Sequence, residues 1–286
     1  MNNEITLVEC PRDAMQGWSH PIPTAMKADY INQLGEVGFD TIDFGSFVSP
    51  KAIPQMADTR LVLQSLDSTR IKSKLLAIVA NQRGAEEAAL FPEISYLGYP
   101  FSISETFQLR NANTTIAQSL GVLKNIVSIT RQTNKQLVVY ISMAFGNPYG
   151  DEYTLPIVYR WCEEIYKLGV DIVSLADTVG LATPDQVFSI TEHVIANSPT
   201  QQFGIHLHST PDNWQLKLQA ALDAGCRRFD GALNGIGGCP MADDVLVGNM
   251  NTQEMIAYFE SLGYELNLDH KALDIAGEMA SKIFAA

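Results

Sequence analysis

Short apolar runs alternate with amphipathic stretches along the whole chain. Eight of these runs predict strands, over 5–10, 41–44, 75–79, 94–97, 137–143, 172–175, 204–208 and 228–233. Several are continuous Val, Ile and Leu rather than alternating, the pattern of parallel strands covered on both faces. Helical patterns with legible ends lie between them. Thr24 is placed to cap a helix that carries Met26, Tyr30, Leu34 and Val37 and stops at Gly38. Thr183, Pro184 and Asp185 give an N-cap, a proline in the first turn and an acid beside it. Ile116, Leu120, Leu123 and Val127 form one apolar stripe, and Leu216, Ala220 and Ala224 form another that ends at Gly225. The stretch after Thr252 supplies an eighth helix, and 268–284 an additional C-terminal one. Eight strand-then-helix units without a composition break predict an α/β fold: a (β/α)8 TIM barrel with an additional C-terminal helix, in one domain over 1–286. A doubly wound open sheet is the alternative, because periodicity does not show closure.

Composition narrows the partners. A chain of 286 residues with 46% hydrophobic and 18% charged residues can bury a core without a disulfide framework or structural metal. Lys plus Arg number 19 against 32 Asp plus Glu, a formal charge of −13. That field repels phosphate backbones and anionic lipid heads, so neither nucleic acid nor membrane is expected as a partner. An anionic ligand would need local cations to reverse the field where it docks. The N-terminus has no basic segment followed by an apolar core, and no apolar stretch approaches the roughly 18–20 residues needed to cross a bilayer. Cysteines at 10, 162, 226 and 239 then read as reduced thiols in a cytoplasm, the first three as buried filler.

In a barrel of this kind, chemistry sits at the C-terminal ends of the strands and in the loops after them. Pro11 closes the first strand, and Arg12 and Asp13 project beyond it before any helix is expected. His206 and His208 are two apart on the seventh strand, so both imidazoles face the barrel axis, a metal-binding pattern to which Asp13 could add a carboxylate. His20, His193 and His270 are isolated and read as structural. After the eighth strand, Gly235, Gly237 and Gly238 free the backbone and deliver Cys239, either a movable acid, base or nucleophile or merely the tip of a phosphate-binding turn. Asn249 offers an amide oxygen to a cation. Asp43 and Asp177 end strands two and six; Asp177 is an inward carboxylate or the orienter of a neighbour. Lys51 is the kind of local cation that an acidic chain needs.

Taken in chain order, Glu9-Cys10-Pro11-Arg12-Asp13, Ser46-Phe47-Val48-Ser49-Pro50-Lys51 with Pro54-Gln55-Met56-Ala57-Asp58, Ser174-Leu175-Ala176-Asp177-Thr178-Val179-Gly180, His206-Leu207-His208 and Gly237-Gly238-Cys239-Pro240 resemble the 3-hydroxy-3-methylglutaryl-CoA lyases of the DRE-TIM metallolyase superfamily. The resemblance implies retro-Claisen cleavage of 3-hydroxy-3-methylglutaryl-CoA, or a close 3-hydroxyacyl-CoA, to acetyl-CoA and acetoacetate, as in leucine degradation. It implies Mg2+ or Mn2+ on Asp13, His206, His208 and Asn249; the mixed donor set would also accept Zn2+ or Co2+. It implies catalytic roles for Arg12, Cys239, Asp177 and Asp43, with Arg12 on the thioester oxygen and Cys239 moving a proton. Substrate contacts fall on Arg12, Gln16, Lys51, Gly237 and Gly238, and a cytoplasmic homodimer is the expected assembly.

Several positions depart from the family pattern. Ala14 stands where glycine is common, Asp43 is one methylene shorter than the usual glutamate, and Ser209 replaces an acid. The loop from Gly17 to Pro21 lacks the usual charges, and the glutamate of the first motif is displaced, with Val8 at its place and Glu9 beside it. Two alternatives stay open: a related aldolase or Claisen-type enzyme for another hydroxyacyl-CoA or 2-oxo acid, and a non-catalytic metal-binding barrel.

Overall fold

A computed structural model gives the structure of the protein and describes residues 4–237 and 247–285. Eight of its strands are the expected ones: β1 (Thr6–Glu9), β2 (Thr41–Ser46), β3 (Lys74–Ile78), β4 (Ile94–Ser102), β5 (Gln136–Ser142), β6 (Ile172–Asp177), β7 (Gln202–Ser209) and β8 (Arg228–Gly231). A two-residue β9 (Gly248–Asn249) follows. The sheet runs β6-β5-β4-β3-β2-β1-β8-β7, and β6 also pairs with β7, so it closes on itself. All eight neighbouring pairs are parallel. That is the (β/α)8 barrel rather than the open sheet.

The helices are α1 (Pro11–Gln16), α2 (Thr24–Val37), α3 (Thr59–Gln64), α4 (Gln82–Ala89), α5 (Glu105–Ala112), α6 (Ile116–Gln132), α7 (Leu155–Lys167), α8 (Pro184–Asn197), α9 (Trp214–Asp223), α10 (Thr252–Ser261) and α11 (His270–Ile283). Among the described residues, no helix is long and apolar enough to cross a membrane. The Thr183 cap forms as expected, as a full capping box with Gln186, and Gly38 ends α2 at a φ of 96°.

Four local expectations are corrected. Thr24 is inside α2 rather than its cap, because its hydroxyl donates to Asp58 at 2.7 Å. A short helix, α1, begins at once after β1 and holds Arg12 and Asp13. Strand β4 continues through Pro100 to Ser102, since β5 pairs with it residue for residue to Ser142. The buried face of α9 is Lys217, Leu218, Ala221 and Leu222, while Leu216 is 61% exposed.

Alternation along the strands sorts side chains into two cores. Outward residues such as Leu97, Val139, Val173, Ile205 and Phe229 pack under the helices. Inward residues Leu76, Ile78, Tyr96, Val138, Tyr140 and Ile172 plug the barrel. The plug leaves polar side chains the C-terminal mouth.

Two buried ionisable groups tie strands to helices. Glu9 points out of the barrel, where its carboxyl accepts from the Thr252 hydroxyl at 2.6 Å and the Leu233 N–H at 2.9 Å. Burial pushes its pKa up to about 8, the two hydrogen bonds restraining the rise. Lys217, on α9, spends all three ammonium protons: on Asp177 at 2.8 Å, the His208 carbonyl at 2.9 Å and the Gly180 carbonyl at 3.1 Å.

Each latch has a measurable consequence. The folded pKa of Glu9 lies above its ordinary 4.5, so its contribution to stability is complete below 4.5 and is lost as pH rises toward about 8. Glu9→Gln keeps the shape and both bonds, so its unfolding free energy should lose a slope of up to about 1.4 kcal/mol per pH unit that the wild type shows in that window. Parallel stability curves, from urea melts at several pH values, would refute the protonated carboxyl. Lys217→Met strands the Asp177 carboxylate and should cost about 3–5 kcal/mol in the same melts. Adding Asp177→Leu should recover most of that loss, and a single-variant cost below about 1 kcal/mol would count against the latch.

Candidate active site and metal centre

The first side of the site is built by α1. Cys10 makes the last β1 contact, its N–H donating to the Gly231 carbonyl at 2.8 Å, and Pro11 can start a helix because it needs no donor there. Helical spacing then sets Arg12, Asp13 and Gln16 together at the mouth. Asp13 Oδ1 accepts from Arg12 Nη1 and from Gln16 Nε2, each at 2.8 Å, and Oδ2 accepts from Asn249 Nδ2 at 2.8 Å. The other edge of the guanidinium, Nε and Nη2, is held by Asp43 on β2. Three of the five N–H groups of Arg12 are thus used, and among the described residues nothing takes the remaining one on each terminal nitrogen.

Charge balance here is set by burial against contact. Burial would raise the pKa of Asp13, but Arg12, the two imidazoles and Asn249 overrule it and hold the carboxyl at about 2. Asp43 is buried more than it is compensated, and its pKa is pushed up to about 6 against the pull of Arg12.

The facing side comes from β7 and β9. His206 and His208 both point inward as expected, with ring centroids 5.2 Å apart. β9 pairs antiparallel with β7, Asn249 opposite His208, which carries the amide into the cluster. His208 Nδ1 lies 3.2 Å from the Val247 carbonyl and His206 Nδ1 lies 3.3 Å from Asp230 Oδ2. Each acceptor favours the proton on Nδ1 and so leaves the Nε2 lone pair free to accept or ligate. Burial, then the neighbouring His206, lower the His208 pKa. Burial also works to lower that of His206, but the hydrogen bond and charge of Asp230, joined by Asp13, raise it.

One ligand atom each from Asp13, His206 and His208 lies within 4.8 Å of the others, so the first and seventh strands do converge. Asn249 Oδ1 is buried beside them with no hydrogen-bond partner among the described residues. A carboxylate, two imidazole nitrogens and an unspent amide oxygen fit a divalent cation. A second group, Cys10, His206 and Asp230, meets the same distance limit. Cys10 is buried, as its reading as filler requires, but its thiol also reaches this cluster; burial and then the carboxylates of Asp230, Asp43, Asp13 and Glu9 push its pKa well up.

Gly237 has a φ of 112°, and a Cβ there would come within 2.4 Å of Asn249 Nδ2 and 3.2 Å of Ala14 Cα, so only glycine fits against the cluster. Gly238 and Cys239 lie outside the described residues, between Gly237 and Val247. Asp177 is buried, its oxygens taken by Lys217 and by the Ala182 N–H at 3.1 and 3.2 Å. Lys51 is exposed on the turn after β2, with no side-chain bond to the cluster among the described residues. Beside that turn a cavity of about 320 Å³ carries Arg60 and Arg83 in its wall. The sequence reading misses Asp230 and Lys217. Asp230 was legible as an acid at an inward position of a barrel strand; Lys217 was hidden by the choice of the wrong stripe on α9.

The chain matches the HMGL-like family model over residues 5–279. It is 34% identical over 266 residues to a hydroxymethylglutaryl-CoA lyase of Bacillus subtilis, covering 93% of this chain and 88% of that one. It is 31% identical over 288 residues to an (R)-citramalyl-CoA lyase of Chloroflexus aurantiacus, covering 97% and 90%. Among solved structures, an HMG-CoA lyase of Acinetobacter baumannii in complex with coenzyme A and 3-methylmalate is 34% identical, with a TM-score of 0.90 and 98% of this chain and 91% of that one covered. Family model, relatives and barrel agree with the motifs gathered at the mouth: the chain belongs to the HMGL-like family and is a lyase-type enzyme.

Proposed function

We propose that the protein is a divalent-metal-dependent carbon–carbon lyase that cleaves 3-hydroxy-3-methylglutaryl-CoA, or a close 3-hydroxyacyl-CoA, to acetyl-CoA and acetoacetate. The observation that carries this reading is the convergence of Asp13, His206 and His208 beside an Asn249 oxygen and two Arg12 N–H groups that have no partner among the described residues. Asp13, His206, His208 and Asn249 would hold Mg2+ or Mn2+. What such a cation supplies when bound is Lewis acidity toward the tertiary hydroxyl of the substrate and a fixed seat for its carboxylate.

The chain's own residues do the rest. As the tertiary hydroxyl gives up its proton, to Asp43 or to water, its carbon becomes the ketone of acetoacetate, and the electrons of the broken bond between C2 and C3 pass to an acetyl-CoA enolate with negative charge on the thioester oxygen. Arg12 presents its free N–H groups to that oxygen, and Asp43 and Asp13 fix the plane of the guanidinium before charge develops. Cys239 gives the carbanion its proton. In support, Gly237 and Val247, the described residues flanking its segment, rest against Asn249 and His208. Gln16, held on Asp13, and Lys51 at the β2 mouth serve the polar parts of the substrate. Asp177 acts on the site by holding the ends of β6 and β7 through Lys217.

A substrate panel tests the reading. Purified protein with added Mg2+ or Mn2+ should release acetyl-CoA and acetoacetate from 3-hydroxy-3-methylglutaryl-CoA and lose the activity with a chelator. Arg12→Ala should lower kcat by about 100- to 1,000-fold while the protein still folds, and Cys239→Ser should also be strongly impaired. Turnover of citramalyl-CoA alone would move the substrate assignment to the shorter acid. No cleavage of any hydroxyacyl-CoA would sink the lyase reading.

A further inference from the structure

Asp230 is buried, ionisable and aimed at the back of a proposed ligand. His206 and Asp230 are register partners across β7 and β8, so both are carried on strands rather than loops. Asp230 Oδ2 sits 3.3 Å from His206 Nδ1, while its other oxygen, Oδ1, is buried with no hydrogen-bond partner among the described residues. The edge-on ring of Tyr140, 5.9 Å from that of His206 at 82°, limits the imidazole from another side. A carboxylate oxygen can only accept, so the shared proton is on Nδ1 and the lone pair is on Nε2.

We propose that Asp230 is a positioning residue that fixes the Nδ1–H tautomer and the orientation of His206, and so prepares Nε2 for the cation. This rests on the metal-dependent reading above. The two histidines are set differently: His208 by the Val247 carbonyl, which follows the undescribed segment, and His206 by a charged side chain on a neighbouring strand. A carboxylate in that place also strengthens the imidazole as a donor. The competing use of the same atoms is direct ligation by Cys10, His206 and Asp230, a site that would prefer a thiophilic ion. Against it, the Cys10 thiol is directed to the Val8 carbonyl at 3.8 Å.

Metal-free protein labelled with 15N-histidine gives the direct readout. In long-range proton–nitrogen spectra at alkaline pH, where the ring is neutral, wild-type His206 should show Nδ1–H. Asp230→Ala should shift it toward Nε2–H, and Mn2+ binding followed by electron paramagnetic resonance should weaken about 10- to 100-fold. The isosteric Asp230→Asn, whose amide oxygen can still accept, should lose less and guards against a folding defect. The proposal is overturned if both variants keep the Nδ1–H tautomer and bind Mn2+ within about twofold of wild type. It is equally overturned if Cd2+ produces a thiolate-to-metal absorption band that Cys10→Ser removes, because Asp230 would then be a ligand. Wild-type protein that fails to bind Mn2+ would refute the metal reading instead, and the metal-free spectra would still decide the role of Asp230.

Discussion

The Asp13 carboxylate joins everything at the mouth of the barrel. It accepts from Arg12 and Gln16 on its own helix and from Asn249 across the opening, and all three bonds need it charged. A buried carboxylate stays ionised only where cations and donors compensate for lost water. Arg12 supplies the largest single part of that compensation and is itself held by Asp43. The group that would bind a cation and the group that would face the thioester oxygen are therefore one electrostatic unit. Replacing Arg12 removes a charge that keeps Asp13 and Asp43 ionised, and replacing either carboxylate frees one edge of the guanidinium, so effects of substitutions at Arg12, Asp13 and Asp43 should not add.

Closure of the sheet is what makes that unit possible. Asp13 comes from the start of the chain and Asn249 lies 236 positions later; only pairing of β1 with β8 and of β8 with β7 brings them together. The antiparallel pairing of β9 adds the last contribution, delivering Asn249 to the flank of His208. A close-packed plug of Leu76, Tyr96, Val138, Tyr140 and Ile172 lies inside the same barrel. Polar inward residues of β7 and β8 thus face the mouth, where the loops can complete a site.

The strands were legible because parallel strands buried on both faces leave uninterrupted apolar runs, and the paired histidines were legible because the strand period is two. What escaped had a specific cause in each case. β4 was cut short because Gly98 and Pro100 resemble chain breakers, yet pairing with β5 carries the strand through both. Lys217 escaped because the apolar stripe of Leu216, Ala220 and Ala224 drew attention away from its face of α9; here the Asp177 carboxylate and the His208 and Gly180 carbonyls satisfy it completely. The early onset of α1 escaped because Pro11 ends a strand and begins a helix equally well. Cys10 was legible as buried but not as a neighbour of His206, since that contact depends on the closure of β1 against β8.

The displaced glutamate of the first motif shows how little a one-residue shift preserves on a strand. Val8 pairs in register with Asp230 and with Thr41, so it shares the inward face of the barrel. Glu9, one step on, faces the opposite way and is spent on Thr252 and Leu233 beneath α10. It cannot stand in for an inward acid at position 8, because the strand period sends neighbours to opposite faces. The inward face next to Val8 still has a carboxylate, that of Asp230, but on β8 and turned to His206. The acid nearest that place is thereby committed to holding a histidine rather than to meeting a substrate. In the reaction proposed above, proton transfer would then fall to Asp43 on β2 and to Cys239.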